Sequence, residues 1–102
     1  MRNIFLFMVF CIANFPANAK EIKDVIGDGR VIYQRYCLSC HGPAGEGMMP
    51  GMPNFARGDR LIRTDRELID AVKDGNGVMP SFYGILEEED IENVVAFLRT
   101  LL

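Results

Sequence analysis

The chain has a single histidine, His41, and no run that alternates apolar and polar residues in the manner of a strand. One imidazole, with no nucleophile paired to a base elsewhere, leaves little with which to build acid–base catalysis. Of the three cysteines, Cys11, Cys37 and Cys40, only the last two lie beyond residue 19, and with His41 they leave a structural zinc centre short of the fourth soft or imidazole ligand it prefers. A basic excess is also missing. Lysine and arginine total 11 against 14 acidic residues, for a net charge of −3. Nucleic acid is therefore a poor partner, because phosphate binding needs a basic surface, although steering toward a basic protein stays open.

Charge is scarce at the start as well. Arg2 precedes an apolar run from Ile4 to Phe15 broken only by Asn14, and Ala17-Asn18-Ala19 follows in a small-x-small pattern. The run is short for a spanning helix and ends on a cleavage-type sequence, so residues 1–19 read as a secretory signal peptide that is removed. Phe10 before Cys11 argues against a lipid-modified cysteine. Residues 20–102 then form the functional domain, with no stable membrane insertion and a balance of ten basic to fourteen acidic residues. So short a chain often needs a staple: a metal, disulfides or a cofactor.

Within this domain Lys20 to Asp28 reads as a polar lead-in, and Gly29 to Cys37 as a helix with Ile32, Tyr33 and Tyr36 at helical spacing. Residues 42–58 are rich in glycine and proline and read as a loop. A loop that long in a small domain is expected to wrap something. Thr64-Asp65-Arg66-Glu67 is a capping box that opens a helix with Leu68, Ile69 and Val72 on its inner stripe, closed by Gly75. A second loop, Asn76 to Gly84, carries Met79-Pro80. The last helix spans about Glu87 to Leu101, with Ile91, Val94, Val95 and Leu98 inward, acids at its start and Arg99 near its end, as the helix dipole favours. The expected fold is all-α, with three main helices and two functional loops.

Cys37-Leu38-Ser39-Cys40-His41 carries the chemistry. Two thiols at this spacing can each add across one vinyl group of a haem, and the adjoining imidazole can then serve as an axial ligand of the iron. A thioredoxin-like dithiol would need a βαβ setting, and a plain disulfide across so short a loop would stabilise little. Covalent haem c, one per chain, is the reading that agrees with the other signals.

With these residues in view, the chain resembles the class I monohaem cytochromes c over nearly all of residues 20–102. In that family a glycine stands eight residues before the first haem cysteine and an aromatic four before it, where this chain has Gly29 and Tyr33. The family's last helix holds an aromatic in an apolar run, matched by Val94-Val95-Ala96-Phe97-Leu98. The resemblance implies a small cytochrome c fold, its long loops wrapped around one covalent haem, with first and last helices crossing and Phe97 near Gly29. It also implies that Pro53, twelve residues after His41, offers its carbonyl to the Nδ1–H of that histidine.

For the sixth position the choice lies between a methionine and an open site. Met79 is the best candidate, because family members place the axial methionine in a loop before the last helix. The expected metal ligands are thus His41 and Met79. Met48, Met49 and Met52 read as padding around the haem, or else as an exposed patch for redox partners. Arg57, Arg60, Arg63 and Arg66 read as solvated surface, or as the source of one partner for a haem propionate.

The expected function is periplasmic transfer of single electrons between a donor and an acceptor protein, rather than catalysis. Two alternatives stay open: a gas-binding or gas-sensing haem protein with a labile sixth site, and a fixed electron-receiving subunit of a periplasmic oxidoreductase. The identity of the partners and the oligomeric state are not legible.

Overall fold

A computed structural model describes residues 20–102. The signal peptide expected at 1–19 lies outside the described residues. Four helices follow in order: α1 (Ile22–Tyr36), the one-turn α2 (Leu38–His41), α3 (Asp65–Asp74) and α4 (Glu88–Leu98). Single 3-10 turns occupy Phe55–Arg57 and Arg99–Leu101. Among the described residues there is no strand, only two isolated bridges. The all-α fold expected from the sequence is the fold observed.

The first helix starts earlier than the sequence suggested. The segment read as a polar lead-in is helical from Ile22. Its charges lie on the outer face, while Ile26, Gly29 and Tyr33 recur at intervals of three and four toward α4. Lys20 pairs with Asp28 at 2.8 Å and with Glu89 at 3.0 Å, tying this end to the start of α4. A periodicity search misses these turns because, before Gly29, Ile26 alone packs toward α4.

The crossing of α1 and α4 depends on that same glycine. A Cβ on Gly29 would collide with the carbonyl of Asn93 and lie 3.0 Å from the Cβ of Phe97. Two backbones can approach this closely only where a side chain is absent. Phe97 fills the adjoining space, its ring 5.2 Å from that of Tyr33 at an angle of 54°. The expected meeting of Phe97 and Gly29 is therefore present.

Helix α3 begins as its capping box requires. The Thr64 hydroxyl accepts from the Glu67 N–H at 3.2 Å, and the Glu67 carboxylate accepts from the Thr64 N–H at 2.8 Å. Leu68, Ile69 and Val72 bury against Ile91 and Val95 of α4 and Phe82 of the following loop. On the other side of α4, Val94, Phe97 and Leu98 join Tyr33 and Phe55 in a second cluster. One helix thus serves two cores with alternate faces.

Candidate functional site

Between the two clusters lies a cleft of about 240 Å³. One wall carries Tyr33, Cys37 and His41, the loop after the motif supplies Met52, Pro53 and Phe55, and the other wall holds Leu68, Val72 and Met79. The lining is mostly apolar. Four of the five residues singled out as ligands or attachment points (Cys37, His41, Pro53 and Met79) border it. Cys40 does not; its side chain is exposed just outside.

The motif is one helical turn continuing directly from α1. The Cys37 N–H donates to the Tyr33 carbonyl at 2.9 Å, and the His41 N–H to the Cys37 carbonyl at 2.9 Å. The buried Tyr33 hydroxyl donates to the Gly42 carbonyl, which secures the end of this turn. Gly42 sits at φ +84°, and a Cβ there would come within 2.5 Å of the Glu46 carboxylate. The loop then folds back on the motif. Gly47 donates to the His41 carbonyl at 2.7 Å and Met48 to the Cys40 carbonyl at 3.0 Å. Phe55 donates to the Gly45 carbonyl at 2.7 Å and lays its ring 5.2 Å from the His41 imidazole, 29° from parallel.

His41 is 9% exposed, and burial lowers its pKa below the ordinary value, which favours the neutral imidazole. Its Nδ1 is buried and has no hydrogen-bond partner among the described residues. The bond expected from Nδ1–H to the Pro53 carbonyl is therefore not made. Pro53 borders the cleft, and its oxygen lies 3.1 Å from where a Cβ on Gly47 would stand. Burial, and secondarily the neighbouring Cys40, pushes the Cys37 thiol up to about 11, so it stays protonated at neutral pH.

Met79 is held by its own backbone. Asn76 and Met79 exchange two N–H to carbonyl bonds, each 3.0 Å, in a tight hairpin at the end of α3. Gly75, at φ +74°, permits this: a Cβ there would stand 2.7 Å from both the Met79 carbonyl and the Ser81 nitrogen. Ser81 donates to the Lys73 carbonyl at 2.7 Å, and Phe82 to the Val72 carbonyl at 3.3 Å, so the loop is laced to the helix it leaves. Met79 itself packs against the Leu68–Val95 cluster.

The donor set fits a haem. The cleft lining is mostly apolar, as a haem ring requires; a neutral imidazole and a thioether are the ligand types of low-spin haem iron, and a protonated thiol stands at the cleft wall. Residues 18–98 match the family described as cytochrome c oxidase, cbb3-type, subunit III. The chain belongs to this family. Its cofactor is accordingly haem c, and its role is that of a c-type cytochrome in electron transfer. It is 29% identical over 101 residues to cytochrome c6 of Gracilaria tenuistipitata var. liui, covering 96% of this chain and 93% of that protein. It is also 29% identical over 105 aligned positions to the cbb3-type cytochrome c oxidase subunit FixP of Azorhizobium caulinodans, covering 88% of this chain but 36% of that longer protein. Among the described residues no helix is long and apolar enough to cross a membrane.

Some site residues escaped the sequence reading. Phe55 was visible only as part of Pro53-Asn54-Phe55, and nothing marked it as the partner of the His41 ring. Tyr33 was read as a helix-packing aromatic, whereas its hydroxyl also anchors the motif. The three clustered methionines divide: Met52 borders the cleft, while Met48 and Met49 are 60% and 48% exposed.

Proposed function

We propose that this cytochrome carries single electrons on a haem attached through Cys37 and Cys40 and ligated by His41 and Met79, with export and removal of residues 1–19 placing domain 20–102 in the periplasm. The observation that carries the reading is the convergence of His41 and Met79, from distant parts of the chain, on one apolar cleft. The neutral state of His41 supports it, since only the unprotonated nitrogen of an imidazole can bind a metal. Pro53, which borders the same cleft, is the residue assigned to the unpartnered Nδ1–H. When bound, the haem supplies a reversible one-electron couple, and the protein's part is to hold both ligands and exclude water.

The decisive experiment is the visible spectrum of the reduced, purified protein with and without carbon monoxide. A c-type spectrum unmoved by the gas is expected, because both axial positions are filled. A prompt shift would replace this reading with a gas-binding one.

The match to FixP favours one second reading, a fixed electron-receiving subunit of an oxidase. The two differ in interface and not in haem site. Purification from detergent-treated whole cells separates them: a free carrier elutes alone, a subunit with a stoichiometric partner.

A further inference from the structure

Arg57, Arg60, Arg63 and Arg66 recur at every third position, and the structure divides them into two kinds. Arg57 pairs with Asp59 at 3.0 Å, and Arg66 with Glu88 at 2.9 Å and Asp70 at 3.8 Å; neither borders the cleft. Arg60 and Arg63 both border it. Neither guanidinium makes an ion pair or a hydrogen bond among the described residues, and the nearby Asp59 is already taken by Arg57 and by the Asn54 N–H. No other lysine or arginine among the described residues lines the cleft.

Arg60 stands out for a second reason. At φ 68° it is the one residue other than glycine among those described with a positive φ. A side chain in that region crowds its own backbone, and such strain persists only where the surroundings impose it. Here Arg99 imposes it from behind. Its guanidinium donates to the Leu61 and Arg63 carbonyls, each at 2.8 Å, and pairs with Asp65 at 2.7 Å. The turn is closed by the Arg63 N–H donating to the Arg60 carbonyl at 3.2 Å. A clamped, strained turn thus keeps two unused cations beside an apolar cleft.

We propose that Arg60 and Arg63 form an anion-binding rim that receives the two carboxylates of the haem. The proposal rests on the haem site argued above. A haem buries a flat apolar ring but keeps two ionised carboxylates on one edge, and guanidinium forks match carboxylates better than any other side chain.

The test uses the haem-loaded protein. Arg60→Gly with Arg63→Gln is compared with a control pair, Arg57→Gln with Arg66→Gln. The rim variant is expected to shift the propionate bending bands in resonance Raman. It should also move the equilibrium with a reference redox dye about two- to fivefold toward the ferric form, because a cation near the iron disfavours the more positive state. Arg60→Lys should keep most of the potential while moving the bands, and the control pair should change neither. Loaded rim variants indistinguishable from wild type, or equal shifts in the control pair, would overturn this proposal alone. A wild-type protein that matures without covalent haem would overturn the site reading and this proposal together.

Discussion

Cys37 and His41 stand on a cluster made by two crossing helices, Tyr33 of α1 against Val94, Phe97 and Leu98 of α4. Met79 stands on a cluster made by α3, the other face of α4 and its own loop. The first support is long-range, joining the beginning of the domain to its end through a contact that tolerates no side chain at Gly29. The second is mostly local, built from hydrogen bonds between a loop and the helix it has just left. Long-range support and fold are one thing, so damage to the histidine side should register as unfolding. Local support can fail by itself, so damage to the methionine side should register as a change at the cleft in a protein that still folds.

The largest effect tests whether the two sides hold together without what lies between them. Cys37→Ala with Cys40→Ala removes covalent attachment, and the expected product is a haem-free chain lacking a cooperative melt by circular dichroism. A helical, cooperatively melting double variant would contradict this. Next comes Gly29→Ala, whose new methyl group meets backbone in α4. It should cost about 3 kcal/mol in denaturant unfolding, near the upper end for overpacking. Gly75→Ala is the matching change on the other side. It should cost about 1–2 kcal/mol from left-handed strain and crowding, and its main signature should be new sensitivity of the reduced spectrum to carbon monoxide. If Gly29→Ala opens the sixth position while Gly75→Ala only lowers stability, the comparison is reversed. Smallest is Thr64→Ala, which removes the hydroxyl cap of α3 and should cost about 1 kcal/mol with no change in spectrum.

The parts that were legible in the sequence are those governed by neighbours in the chain. The Thr64 box, the stop at Gly75 and the Cys37–His41 motif each declare themselves within a few residues, and each is found where expected. The crossing at Gly29 became legible only through family resemblance, since nothing local says which helix a bare glycine will meet. The start of α1 was missed because its first turns are held by Lys20 reaching Glu89 across the fold. Phe55 beside His41 and Arg60 in its left-handed turn depend on distant segments meeting, and Arg60 in particular carries no residue-type signal for positive φ. Nor does spacing alone decide what the His41 Nδ1 meets, since a carbonyl twelve residues on is placed by the path of the loop between them.

The pairing of first helix with last also sets a timetable. A chain made from its N-terminus delivers α1 and the Cys37–His41 turn well before α4 arrives to pack against α1. Closing a contact over so long a stretch of chain is slow, and it cannot begin until the distant partner is present. The Cys37–His41 turn therefore lacks the support of α4 throughout that interval, and the arrival of α4 fixes its base.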